Sequence, residues 1–319
     1  MFHDAPRRSA LAPRISARPR RLCGGSKTKL GPAARPTWRA LLGVVVCACL
    51  TAEAQAQPED AGWRVRSASK VRHNPIGFGV QPELAWRVPL ARSDHRLLRG
   101  THFETGLVAK ISPASFHPGL YAKLVPISPI VLRAQVQQLR YFGLFGHLTE
   151  YHGLQPDWHP ETREGGIVTG RHATGWTAST SATLRLKIGR YLAQVKTTRQ
   201  WFTMDVDPRL SWYDSTSDLI YAQTDYLDRV DATLGAFLWG GPRDVQFLMV
   251  GGQWRGYRTG RTALSRQLMC GALLWRPGWW ADRKLTFAAL AGSYVADPYR
   301  RGQLYAGGQM VMTWDTIGR

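Results

Sequence analysis

The sequence predicts an all-β protein, an antiparallel transmembrane β-barrel of about 12 strands (about 10–14). Three observations predict it. After residue 56 the chain is a succession of segments in which apolar and polar residues alternate. Most are about 9–14 residues long, as spanning strands are, whereas strands of soluble sheets average about 5–6. Nothing in that region approaches the roughly 20 consecutive apolar residues of a spanning helix. Finally, the chain holds 13 Trp, many of them near segment ends.

The segment ahead of the barrel has a different composition. Of the 42 Lys and Arg and the 22 Asp and Glu, ten and two lie in residues 1–56. The stretch RALLGVVVCACLTAEAQAQ (39–57) places a basic residue before a short apolar run, then small residues at Ala54 and Ala56. That is the three-part layout of a secretory signal, with cleavage expected after Ala56. A lipoprotein at Cys49 and a transit peptide are the competing readings. Residues 1–56 are therefore read as a basic leader and signal peptide, removed. Residues 57–75 are a polar N-terminal segment or a first strand, and 76–319 the barrel. Removal of the leader takes Cys23, Cys47 and Cys49 with it and leaves Cys270, so no internal disulfide is expected.

The strand-like segments run 76–88, 101–111, 116–127 and 130–142, the last two joined by Ser128-Pro129. A polar loop then extends to about residue 174. TSATLRLKIGRYLAQVK (180–196) supplies the clearest hairpin, 175–188 and 190–203, about a Gly189-Arg190 turn. There Ala182, Leu184, Leu186 and Ile188 share one face, and Ser181, Thr183, Arg185 and Lys187 the other. Segments 219–227, 231–240, 245–257, 267–275, 284–295 and 302–314 complete the set. Two features stand out of line. The alternation slips at Gln138-Leu139, read as a bulge. The long loop after the fourth segment falls on the wrong side of the membrane unless 63–71 or part of 205–227 adds a strand. Trp86, Trp176, Trp201, Trp239, Trp254, Trp275 and Trp314 are read as interfacial girdles.

The long amphipathic strands, the signal segment and the terminal GGQMVMTW resemble a Gram-negative outer-membrane β-barrel protein over residues 76–319. That resemblance implies outer-membrane localisation and insertion by a barrel-assembly machinery that reads the terminal strand. The basic body suits outer-membrane lipid and lipopolysaccharide as partners; no nucleic-acid motif is present.

Function is read from the wet strand faces. Arg133, Arg185, Lys187 and Lys196 are candidate lumen-lining residues, and inward bases favour anions. They also suit simple pairing with acids such as Glu83 or Glu104 in a filled barrel. The resulting expectation is an anion-preferring pore or a structural surface protein. The alternative is a secreted soluble β-rich lipid- or ligand-binding protein. A barrel-embedded lipid hydrolase would use a pair such as Ser115 and His117. No nucleotide-binding loop or nucleophile elbow is present, so the chain is read as a non-enzyme without a cofactor. In the long loop His147, His152 and His159, with Glu150 nearby, are candidate metal ligands, although their spacing matches no zinc motif.

Overall fold

The computed structural model describes residues 61–73, 77–91, 93, 95, 97–144, 148–154, 171–214, 217–241, 244, 246–278 and 284–316. The leader and signal segment lie outside them. The strands are β1 (Gly62–His73), β2 (Gly77–Pro89), β3 (His102–Ser112), β4 (Ser115–Ile127), β5 (Ile130–Phe142), β6 (Thr149–His152), β7 (His172–Ile188), β8 (Tyr191–Met204), β9 (Leu210–Asp214), β10 (Leu219–Ala222), β11 (Thr224–Trp239), β12 (Phe247–Thr259), β13 (Ser265–Arg276), β14 (Thr286–Ala296) and β15 (Leu304–Thr316).

Twelve of these form one closed antiparallel barrel, in the order β1, β2, β3, β4, β5, β7, β8, β11, β12, β13, β14, β15 and back to β1. The closing seam runs from Trp63 opposite Thr316 to His73 opposite Ala306. Residues 63–71 are thus a wall strand. In the other direction, 219–227 and 231–240 are not two wall strands. β11 runs unbroken through Asp228-Arg229-Val230, and β10 is a separate short strand. One strand is gained and one merged, so the total stays at twelve while the parity is corrected. β1 begins and β15 ends at one rim, the periplasmic one in such barrels. The connections 143–171 and 205–223 emerge at the opposite, outer rim.

The pleat sorts the side chains. Leu120, Leu234 and Leu304 point outward and are 63%, 65% and 75% exposed. Glu83, Arg87 and Glu104 point inward and are buried. This inverts a soluble protein, because lipid accepts the apolar face and the polar groups turn to the lumen. Aromatic residues collect near both rims. At the inner rim Trp63 meets Trp86 edge-on at 5.3 Å, and Trp275 stacks on Phe287 at 5.6 Å. Trp176, Trp201 and Tyr226 stand toward the outer one. From Tyr191 to Trp201 a tilted strand rises about 25 Å, the height of a hydrocarbon layer. Trp254 departs from the girdle reading. It stands in mid-strand, its ring lying over Gly256, where a Cβ would come within 2.7 Å of it.

Two local expectations are resolved. Gly189 has φ 54°, so Gly189-Arg190 makes the tight turn between Ile188 and Tyr191. The slip at Gln138-Leu139 is not a bulge. Pairing of β5 with β7 is continuous from Ile130 opposite Leu184 to Phe142 opposite His172. Polarity changes there, not register: Gln138 faces outward and accepts hydrogen bonds from Arg140, while Leu139 faces inward and is buried.

Leu120→Arg places a charge on the lipid face in the middle of β4. It should cost about 2–4 kcal/mol, read as a lowered urea midpoint for the protein folded in vesicles. Leu120→Ile should leave the midpoint nearly unchanged.

Candidate functional site: the lumen and its outer plug

The two long outer connections do not project as solvated loops over their described residues. They fold back as a three-stranded antiparallel sheet, β10-β9-β6. Tyr213 of β9 faces Thr149 of β6 and Ile220 of β10. This sheet is buried almost throughout. On one side Leu148, Trp212, Leu219 and Tyr221 pack on the inward side chains Leu139, Tyr141, Phe202, Met204 and Leu227 of the wall. Trp212 lies 5.1 Å from Tyr221, 5.9 Å from Tyr141 and 6.2 Å from Phe202, ring centre to ring centre. The inward positions of β5, β8 and β11 therefore switch from polar to apolar toward the outer end. That switch is what the sequence displays at Leu139.

Two aromatic side chains of the sheet find their polar partners locally. The Trp212 indole donates to the Ala222 carbonyl at 3.0 Å, and the Tyr213 hydroxyl to Asp218 at 2.6 Å. Burial, with the Asp214 carboxylate nearby, holds the Tyr221 phenol well above its ordinary range, so it stays neutral. Asp218, with φ 58°, joins the sheet to the far wall. Its carboxylate accepts from Arg266 of β13 at 2.9 Å and from Arg300 at 3.0 Å, and Arg266 also pairs with Asp297. All four side chains are buried. Thr262, in the β12–β13 turn, donates to the Ile220 carbonyl at 2.9 Å. An apolar contact on one side and an ionic latch on the other thus hold the sheet as a plug in the outer mouth.

Below the plug the inward faces carry charge. Arg133, Arg185, Lys187 and Lys196 share the inward side of the wall with Glu83, Ser181, Thr183 and Gln194. Arg133 reaches Glu83 at 3.0 Å and lies over the Tyr121 ring at 4.0 Å. Arg185 donates to Gln194 at 2.8 Å, and Lys187 stands 5.6 Å from the Phe237 ring centre. Lys196 faces Asp231 in register, but Asp231 is held by Arg229 at 2.7 Å and Arg255 at 3.5 Å. Glu104 gathers Lys123 at 2.8 Å, Arg87 at 3.2 Å and the Tyr121 hydroxyl at 2.8 Å. The opposite wall differs: mid-strand β13, β14 and β15 present Cys270, Ala272, Gly292, Gly307 and Gln309. Lys70 points inward yet keeps much of its surface exposed, so the lumen is wet.

The remaining candidates are not brought together. His147 and His159 lie outside the described residues. His152 ends β6 and is exposed, while Glu150 is ion-paired with Arg171 at 3.1 Å. Ser115 and His117 both face inward near the outer end. The Ser115 hydroxyl is bonded to that of Ser112 at 2.8 Å, and the His117 ring packs edge-on against Tyr141 at 5.1 Å. Free Cys270 packs in the wall beside Leu268 and Tyr294. What sequence reasoning missed is the plug. Its signal was present in LSWYD and LIYA, aromatic runs too short to span a membrane.

No family model matches the chain, and no curated protein matches it by sequence. Among solved structures it is similar to the beta domain of the Bordetella autotransporter BrkA, with 11% identity, 80% of this chain and 99% of that one covered, and a TM-score of 0.46. It is similar also to OmpT, an outer membrane protein of Vibrio cholerae (8% identity, 82% and 100% covered, TM-score 0.35). An outer membrane channel from Pseudomonas putida F1 gives 10% identity, 82% and 98% coverage, and a TM-score of 0.37. No residue's role carries across at these values. The closed wall, its apolar outer band, the aromatic rims and the polar interior define the chain as an outer-membrane β-barrel protein.

Asp218→Asn removes the charge that two buried arginines share and should loosen the plug by about 3 kcal/mol. Amide exchange in residues 210–214 and 219–222 should then accelerate by about two orders of magnitude, with the wall strands unaffected. Unchanged protection would show that the latch does not hold the sheet.

Proposed function

We propose that this protein is an anion-preferring pore whose outer mouth is closed by the β6-β9-β10 plug. One observation carries the reading: the wet lumen below the plug holds far more inward bases than acids. Glu83, Glu104 and Asp231 each serve two or more bases. Arg185, Lys70, Lys110 and Lys196 add charge that those acids do not neutralise. A cation entering such a lumen is repelled and an anion drawn in. Mid-strand, β13–β15 present uncharged side chains inward. Outward, Arg199 forms a two-point ion pair with Asp228, both bonds 2.7 Å, next to Tyr226. This pair supports contact with lipid head groups, lipopolysaccharide included.

Refolded protein in planar bilayers provides the test. The native chain should open rarely. Asp218→Asn should open often, with chloride more permeant than potassium in a salt gradient. A potassium preference, or silence of both proteins, would sink the pore.

A further inference from the structure

A groove of about 610 Å³ crosses the lipid side of the wall from β3 to β11. That volume is within the range of about 300–1,000 Å³ typical of small-molecule sites. Its floor is small outward residues in two adjacent rows: Ala122, Ala134 and Thr180 in one, Ala182 and Thr197 in the other. Taller side chains bank it. Leu120, Val136 and Trp201 stand toward the outer rim, and Leu184 and Val195 toward the inner one. Spanning strands are tilted, so a row in register climbs the wall obliquely. This one rises from near the inner end of β5 at Ala134 to the outer third of β11 at Asp228.

The two ends of the groove differ in chemistry. The inner end is apolar, lined by Phe103, Leu124 and Leu132. At the outer end stand Arg199 and Asp228, joined by two bonds of 2.7 Å, with the Arg199 guanidinium 5.0 Å from the Tyr226 ring centre. Arg258 of β12 faces Asp228 in register from the other side; it is exposed and carries no ion pair among the described residues. Two arginines and one carboxylate leave this end net positive. Neighbouring strands lie about 4.8 Å apart, so the two arginines flank Asp228 about 10 Å from each other, within reach of one group.

Charge on a lipid-facing wall is costly in hydrocarbon, and its cost falls toward the head groups. The occupant that fits has a long apolar part for the floor and an anion at the outer end. Asp228 takes two of the five donors of Arg199, and the others, with the whole fork of Arg258, remain for phosphate oxygens. A second barrel in the same membrane would bring the same net positive end to the same height. An outer-leaflet lipid with a phosphorylated head meets both ends at once.

We propose that this groove is a binding site for lipopolysaccharide, with one acyl chain along the floor and a head-group phosphate on Arg199 and Arg258. The site rests on the lipid contact proposed for Arg199 and Asp228 and is independent of the pore.

Native mass spectrometry of the refolded protein, incubated in detergent with purified lipopolysaccharide, tests it. The native chain should retain about one lipopolysaccharide per barrel, and the same lipid stripped of its phosphates should bind about tenfold more weakly. Arg258→Gln should weaken retention about fivefold. Arg199→Gln combined with Asp228→Asn, which removes the pair without leaving a lone charge, should do the same. Ala134→Phe combined with Ala182→Phe fills the floor and should weaken retention about tenfold. Ala291→Phe, a like change on the far wall, should bind as the native chain does. Heat-dependent electrophoretic mobility verifies that each variant is folded. A folded native barrel that retains no lipopolysaccharide, or that holds phosphatidylglycerol as tightly, overturns the site. So does a mass of two barrels that the Phe changes at 134 and 182 abolish, since the groove then seats a second copy. Loss in the arginine variants without loss in the filled groove leaves the head-group contact and removes the acyl site. Retention by a barrel that conducts no ions keeps the site and removes the pore; anion conductance without retention does the reverse.

Discussion

Closure of β1 onto β15 is the constraint on which everything else depends. Inside a hydrocarbon layer no water satisfies a free strand edge, so a sheet can span only by pairing its last strand with its first. The seam from Trp63–Thr316 to His73–Ala306 does this. Once the wall is closed, each strand has an outside that only lipid touches and an inside shared with eleven others. Period-two alternation then becomes a sorting rule. Leu, Val and Trp go to lipid, and Arg, Lys and Glu must find partners or water within the lumen.

The plug follows from the same constraint. An open lumen would leave polar inward faces hydrated to the outer rim. Instead the outer ends of β5, β8 and β11 carry apolar inward residues, and the sheet that meets them buries Trp212 and Tyr221 completely. Its other face is held differently, by two arginines sharing the carboxylates of Asp218 and Asp297. Apolar packing weakens gradually as surfaces separate, but a buried ionic cluster loses its compensation at once when one partner leaves. The latch side is therefore the side on which a small chemical change has the largest mechanical effect.

Most of the wall was legible in the sequence because alternation and strand length are local properties. The hairpin 180–196 and the inward placement of Arg133, Arg185, Lys187 and Lys196 follow from period two alone. What was not legible was tertiary. Leu139 looked like a register fault because its inward neighbour, the plug, is built from residues far along the chain. Residues 219–227 looked like one strand because LIYA and the start of β11 are nearly contiguous; only the break at Gln223 separates them. Trp254 satisfied the girdle pattern by composition, but its height depends on register with β11 and β13. The pairing of Glu83 with both Arg66 and Arg133 likewise needs the curved wall, since those residues lie on β2, β1 and β5.

The chain positions of the plug strands carry a consequence for assembly. β6 precedes the β7–β8 hairpin and β9 and β10 follow it, and the wall strands that meet the apolar side of the plug, β5, β7, β8 and β11, are consecutive around the barrel. Plug and neighbouring wall can thus form as one sheet-on-sheet unit while the barrel is still an open ribbon. No segment has to be threaded into a finished cylinder. The remaining strands then wrap around an occupied interior, and the arginines of β13 and the β14–β15 turn reach Asp218 only as the cylinder closes.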